Sequence, residues 1–329
     1  MKEKLLIYMP ALNEAETIYK VIKSIPSTFK GVETVEVLVV NDGSTDNTKE
    51  EALRGGATVI SHPYNKGVGS AFQTAIDYSL KKNVDILVSI DADGQFNVEE
   101  IKHIIEPILV NKADFTLGNR FTFGKPERMP KIKFWGNKKI SQIVSYVGRS
   151  KIQDVSCGFR AYSYESLMSL NLQGEFTYTH ETILDLLNKG KSVAQIPITV
   201  KYFDGRVSRI ANSITIYAFK TSVIIFKCLK DYKPFRFFIT IAIAILILAM
   251  LLGSFVLWHW LTVGQITPYK SLGFIALSLC GMSLIVVTLA FVADMLNRIR
   301  QNQEKILYLT KKNYFENKGS KIKDTISGQ

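Results

Sequence analysis

Two uninterrupted apolar runs, residues 237–258 and 272–293, constrain this chain more than any other feature. Each is about as long as a helix needs to cross a bilayer core, roughly 20 residues. Neither contains a charge before Asp294. A very hydrophobic soluble hairpin is the alternative, and the length rule weighs against it. Lys227, Lys230, Lys233 and Arg236 precede the first run and Arg298, Arg300 and Lys305 follow the second, while the connection over 259–270 holds one lysine. Positive charge gathers on the cytoplasmic side of membrane proteins, so both the region before the runs and the tail are expected in the cytoplasm of a multi-pass inner-membrane protein. Trp258 and Trp260 stand where an aromatic belt is expected.

Before about Asp231 the pattern is different. Apolar and charged segments alternate as in a soluble α/β protein, and 47% hydrophobic content suffices for a sizeable core. The expected layout is a cytoplasmic catalytic domain over 1–210, an amphipathic juxtamembrane helix over 211–234, transmembrane helices over 235–261 and 271–295, and a basic tail over 296–329. The net charge of +12 fits nucleic acid, an anionic membrane surface or phosphorylated substrates. The membrane runs favour the last two, and no basic helix or Cys/His zinc pattern points to nucleic acid. Cys157, Cys228 and Cys280 form neither a CxxC pair nor a secreted framework, so they are expected as reduced cytoplasmic thiols. The apolar start is broken by Pro10 and Asn13, too short for a signal-peptide core.

Within the soluble region, strands are expected over 5–9, 35–40, 57–61, 85–90 and 115–117. Helices fall between them over 14–25, with Asn13 as a cap, then 67–80 and 98–110. Strand–helix alternation over short loops implies a parallel sheet covered on both faces, with ligands bound beyond the carboxyl ends of its strands. Residues 134–147 read as an amphipathic helix, either lying near a membrane or packed on the domain surface. A helix over 182–189, a strand over 192–202 and a mostly apolar helix over 210–229 complete the region.

The chemistry-bearing residues fall at those strand ends. Asp91-Ala92-Asp93-Gly94-Gln95 follows an apolar strand, and two carboxylates two residues apart can both face a hard cation such as Mg²⁺ or Mn²⁺, which bridges well to phosphates. Aspartate turn chemistry is the plainer explanation of such a pair. Asp42 lies at a neighbouring strand end, where a carboxylate can accept from the imide N–H of uracil or the edge of guanine. Residues 10–14 add polar groups at the first strand end. Three convergent loops are hard to explain as coincidental turns.

The ordered segments PALNE (10–14), VVNDGSTDNT (39–48), NKGVGSA (65–71), DADGQF (91–96), GNRF (118–121) and DVSCGFRAY (154–162) resemble the family 2 glycosyltransferases of GT-A fold. Within them the chain is most similar to the branch of dolichyl-phosphate mannose synthases and bactoprenol glucosyltransferases, and the likeness covers essentially the whole soluble domain. It implies a Rossmann-like, mostly parallel α/β catalytic domain followed by two transmembrane helices. Pro10, Ala11, Asn13, Glu14, Asp42, Lys66, Asp91 and Ala92 would bind the nucleotide sugar, and Asp91, Asp93 and Gln95 a metal. Asp93, Arg120, Asp154 and Arg160 would be catalytic, with Arg120 beside the sugar and acceptor phosphates. Lys133 and Asn137 fall where relatives often place an arginine and a serine for the lipid phosphate. Arg206, Ser208 and Arg209 replace an arginine-rich strand with a Ser-Lys ending; they can clamp a phosphate or meet lipid headgroups. His180 is expected as a packing residue rather than a metal ligand.

The implied activity is inverting, metal-dependent transfer of a hexose from a nucleotide sugar, first UDP-glucose, to undecaprenyl or another polyprenyl phosphate for cell-envelope glycan modification. Transfer to a glycolipid or glycan hydroxyl is the rival, and it would require a general base. A processive polymerase would show Gln-x-x-Arg-Trp, yet none of the three tryptophans follows an arginine. An inactive membrane scaffold is disfavoured by the intact acidic and arginine positions. The spans leave homo-oligomerisation open.

Overall fold

The computed structural model describes residues 3–171, 178–202, 223, 226 and 230–327, the side chains of 316–327 excepted. It divides into two compact units, Met1–Thr221 with Tyr308–Gln329, and Ser222–Leu307. In the first unit the chain runs β1 (Glu3–Ala11), α1 (Ile18–Ser24), β2 (Val32–Asn41), α2 (Thr48–Gly55), β3 (Thr58–Ser61), α3 (Val68–Lys82), β4 (Ile86–Ser89) and α4 (Ile101–Leu109). It continues through β5 (Phe115–Asn119), α5 (Lys131–Gly148), β6 (Arg160–Ser163), α6 (Tyr164–Ser169), α7 (Tyr178–Asn188) and β7 (Val193–Pro197). The strands form one sheet in the order β3-β2-β1-β4-β6-β5-β7.

Side chains alternate across a strand, and here the alternation feeds two cores. Leu5, Ile7 and Met9 of β1 join Ile86 and Val88 of β4 beneath Ile18, Ile22, Ile101, Ile104 and Ile105 of α1 and α4. Tyr8 points to the opposite face, where Phe72 of α3 lies between it, Tyr162 and Tyr178 at centroid distances of 5.9, 5.4 and 4.7 Å. β1 is parallel to β2 on one side and to β4 on the other. The strand order reverses between β1 and β4, which opens a crevice at their carboxyl ends.

Several local expectations differ from the structure. β6 is antiparallel to both β4 and β5, so the sheet is mixed although mostly parallel. The first helix starts at Ile18 rather than Glu14, because residues 13–17 are drawn into loop contacts. Asn13 does not cap that helix: it takes a left-handed backbone, φ 55°, and its side chain accepts from the Thr45 amide at 2.9 Å. The strand expected over 192–202 is confined to Val193–Pro197. α5 turns Gly136, Asn137, Ile140, Ser141, Val144 and Val147 inward and leaves Trp135 and Tyr146 exposed. The helix expected over 210–229 lies almost entirely outside the described residues.

The second unit contains α8 (Pro234–Val263) and the first part of α9 (Lys270–Ser327). Both are long and apolar enough to cross a membrane, with mean hydropathy 2.8 and 2.5 in their most apolar windows and only 17% of each window buried. Small residues allow the two helices to approach closely: Ala242 and Ala249 of α8 and Ala276, Ser283 and Ala290 of α9 are buried, and Ser283 Oγ donates to the Ala242 carbonyl at 3.0 Å.

Gly118 marks a close approach within the sheet region. A Cβ there would lie 2.7 Å from Ile198 Cδ1 and 2.9 Å from the Phe159 carbonyl oxygen. Gly118→Ala is expected to destabilise the first unit by about 1–3 kcal/mol, read as a lowered thermal unfolding midpoint of the purified protein.

Candidate active site at the carboxyl ends of the strands

Three loops converge at the crevice, and specific hydrogen bonds tie them together. The Glu14 amide donates to Thr48 Oγ1 at 2.8 Å, and the Asn13 amide to Ser44 Oγ at 2.9 Å, joining the β1 loop to the β2 loop. Asp46 accepts from the Ala15 and Thr48 amides and pairs with the Thr48 hydroxyl; against the cost of burial, these bonds hold its carboxyl below the usual range. Thr17 Oγ1 lies 3.0 Å from the Ala92 carbonyl and 3.2 Å from Glu14 Oε2, linking the β1 loop to the acidic loop after β4.

Asp91 and Asp93 lie on that acidic loop. Loss of hydration and then the charge of Asp93 push the Asp91 carboxyl up to about 7, opposed by Arg120 and, more weakly, Arg160; Glu14 adds to the rise. Asp93 Oδ1 accepts the Gln95 amide at 3.0 Å, an aspartate turn of the plain kind. Gln95 is further fixed by its carbonyl, which accepts from the Lys201 amide at 2.9 Å. Gly158 presses against the loop from the other side: a Cβ there would lie 3.0 and 3.1 Å from the two Asp91 oxygens, so a larger residue would require the carboxyl to shift by a few tenths of an ångström.

Opposite the carboxylates stand cations with unequal freedom. Arg120 Nε donates to Asp154 Oδ2 at 2.7 Å, and one terminal nitrogen donates to Asp154 Oδ1 at 2.9 Å and Ser156 Oγ at 2.8 Å. Both side chains are nearly or fully buried, at 9% and 0% exposure, and despite burial the carboxylate keeps the guanidinium strongly cationic. Lys133 lies within its field: burial and then the Arg120 charge lower the Lys133 ammonium below the usual range. Arg160 requires a correction. Expected among the catalytic groups, it is fully buried, with its nitrogens bonded to the carbonyls of Cys157, Val155 and Thr179 and to Thr182 Oγ1. It is a positioning residue that joins the 155–157 loop to α7.

Other candidate residues are distributed as follows. Pro10 and Ala11 end β1, and Ala92 is buried within the acidic loop. The Asp42 carboxylate is 7% exposed and accepts from His62 Nδ1 and the amides of Lys66 and Gly67. Lys66 thus serves Asp42 through its backbone, while its ammonium stands 5.6 Å from the Tyr64 ring centroid. Asn137 is buried on the inner face of α5. Arg206, Ser208 and Arg209 lie outside the described residues. His180 is buried, and burial followed by the Arg160 charge pushes its imidazole down to about 4. Burial likewise pushes the Cys157 thiol up to about 12, leaving it unreactive. His62 and Ser156 went unnoticed in the sequence, because each acts on a partner brought close only by folding.

Among the described residues, no group of three or more His, Cys, Asp or Glu gathers as an all-protein metal site would. Two mutually repelling carboxylates at a strand end are nonetheless a fitting donor set for a hard cation whose remaining ligands are phosphate oxygens and water. Asp91 and Asp93 would hold it.

This sheet order, with an acidic loop at the switch point, is a nucleotide-binding α/β architecture. The chain belongs to glycosyl transferase family 2, whose family model matches residues 6–170. It is 29% identical over 64% of its length to the UDP-N-acetylglucosamine–dolichyl-phosphate N-acetylglucosaminyltransferase of Methanococcus voltae, covering 92% of that protein. It is 28% identical over 64% of its length to the polyprenol monophosphomannose synthase of Mycolicibacterium smegmatis, covering 82% of it. The fold matches glucosyl-3-phosphoglycerate synthase of Mycobacterium tuberculosis, solved with Mn²⁺, UDP and phosphoglyceric acid. The TM-score is 0.53 at 21% identity, covering 70% of this chain and 78% of that one.

Two outcomes follow from the electrostatics. Asp154→Ala leaves Arg120 buried without its counter-charge and is expected to cost about 3–5 kcal/mol, read by thermal or denaturant unfolding. A proton on Asp91 competes with a cation. Mn²⁺ affinity in the presence of a nucleoside diphosphate should therefore rise about tenfold per pH unit up to about 7 and level off above it, as measured by Mn²⁺ titration.

Proposed function

We propose that the protein transfers a hexose from a nucleoside diphosphate to a polyprenyl phosphate at the cytoplasmic face of a membrane, with inversion at the anomeric carbon. The observation that carries this is the pair of cations, Arg120 and Lys133, close enough for one to depress the other, beside the loop of Asp91 and Asp93. Asp154 answers the Arg120 charge, and a phosphate acceptor would answer the second, partly buried cation, Lys133. Two helices long enough to span a bilayer suit an acceptor whose remaining part is hydrocarbon. The named relatives that use dolichyl phosphate or polyprenol support the same acceptor class.

On this proposal Pro10, Ala11, Glu14 and Asp42 hold the nucleoside, and the tied loops keep them in register. A divalent cation, Mg²⁺ or Mn²⁺, held by Asp91 and Asp93 would neutralise the charge that develops on the departing diphosphate. Arg120, fixed in direction by Asp154 and Ser156, binds the acceptor phosphate with Lys133. The acceptor oxygen attacks the anomeric carbon as the bond to the diphosphate oxygen breaks. A phosphate monoester has its second pKa near about 6, so this oxygen is already ionised at neutral pH and no protein base is needed. Rate acceleration then rests on in-line positioning and on preorganised charge.

UDP-glucose is the first donor to test. Detergent-purified protein, incubated with Mg²⁺ or Mn²⁺, labelled nucleotide sugars and undecaprenyl phosphate, is expected to move label into the organic phase from one donor. Asp93→Ala should reduce this at least about a hundredfold. Label transferred only to a glycan or glycolipid hydroxyl, or full activity in Asp93→Ala, would overturn the proposal.

A further inference from the structure

We propose that His62 is a specificity-determining positioning residue: it fixes the Asp42 carboxylate so that its one uncommitted lone pair faces the ring N–H of a bound uracil or guanine. The inference rests on the nucleotide-sugar proposal above and extends it to a residue outside the matched loop motifs. His62 follows β3, and its amide donates to the Asn41 carbonyl at 2.8 Å, extending the β2–β3 ladder by one step. That step brings its ring beside the side chain of Asp42. Nδ1 lies 2.7 Å from Asp42 Oδ1, with the two side chains 8% and 7% exposed. The other ring nitrogen, Nε2, is 3.0 Å from Thr74 Oγ1 on α3, and that hydroxyl is in turn 3.0 Å from the Ser70 carbonyl. The imidazole is therefore held at both ends, by a helix on one side and the carboxylate on the other.

The lone-pair count of Asp42 gives this arrangement its consequence. An ionised carboxylate offers about four acceptor positions. Oδ1 uses two, for His62 Nδ1 and the Lys66 amide, and Oδ2 uses one, for the Gly67 amide at 2.8 Å. Among the described residues, one position remains, on Oδ2. Rotation of the carboxyl would break three bonds at once, so the remaining position has a fixed direction. A nucleobase with hydrogen on its pairing-edge ring nitrogen, as in uracil or guanine, completes the set. Cytosine and adenine carry a lone pair at that nitrogen and would meet the carboxylate repulsively. A site built to hydrogen-bond a ligand N–H rejects analogues that lack it far more strongly than a merely apolar pocket does.

The test separates hydrogen bonding from packing. Affinities of the full-length protein in detergent would be measured by calorimetry for UDP and GDP and for 3-methyl-UDP and 1-methyl-GDP, in which a methyl replaces the ring N–H. The quantity read is the factor by which methylation weakens the nucleotide that binds. In the wild type this factor is expected to be about a hundredfold. His62→Asn keeps a donor near the position of Nδ1 and should retain most of it; His62→Leu fills the space without a donor and should lose about tenfold of it. Thr74→Val, which frees the far end of the ring without changing side-chain branching, should lose a smaller part, and it serves as the decisive variant if His62→Leu does not fold. An unchanged factor in His62→Leu, a factor in His62→Leu equal to or above that in His62→Asn, or an unchanged factor in Thr74→Val with His62→Leu unfolded would overturn the role of His62 alone. Failure of the wild type to bind any of the nucleotides would overturn the donor proposal itself.

Discussion

The parallel pairing of β1 with both β2 and β4 forces the loops after all three strands to open toward the same end of the sheet. Everything at the candidate site depends on that constraint. The strand order reverses between β1 and β4, and the loops that follow them part, leaving a crevice. A crevice made of loops would be loose if each loop were independent. Here Thr17, Thr48, Ser44 and Asn13 cross-link them through short polar contacts, so the rigidity of the sheet reaches the residues that face a ligand.

The two buried arginines at the crevice are held in different ways. Arg120 is neutralised by Asp154 through two nitrogens, a geometry that lysine cannot reproduce. Among the described residues, Arg160 has only carbonyl and hydroxyl partners at hydrogen-bond distance, and its positive field falls on Asp91. The same field opposes protonation of the neighbouring His180. A single buried cation thus organises a loop through its hydrogen bonds and biases two titratable groups through its charge. Its substitution by a neutral residue would confound both effects, which is why Asp154 is the cleaner probe of the electrostatics.

The parts of this site legible in the sequence were those carried by contiguous residues. Asp91 and Asp93, Asp42 and the 10–14 segment stand at strand ends that apolar periodicity reveals, and the structure brings those loops together. What depends on distant partners was not legible. Arg160 has the composition of a phosphate-binding arginine, yet its surroundings come from α7, some twenty residues later, and they bury it. β6 escaped notice because it is only four residues long and its first three, an arginine among them, are all buried, so no polar face marks it. Asn13 carries the chemistry of a helix cap, but the loop after β2 offers its side chain a competing partner. His62 lies in a stretch rich in turn residues, and only folding places it against Asp42 and Thr74.

The division of α9 between two units bears on the membrane topology. Its first part belongs with α8, and from Tyr308 onward it belongs with the catalytic unit. There the Tyr308 hydroxyl donates to Glu165 at 2.7 Å, and Lys311 Nζ to the Leu170 carbonyl at 2.9 Å. On the proposed placement, a chain that leaves the first unit and returns to it would cross a bilayer an even number of times, as two spans would. At 1.5 Å per residue α9 would extend about 87 Å, nearly three times the roughly 30 Å of a hydrocarbon core, so its polar second half lies outside whatever membrane its first half crosses.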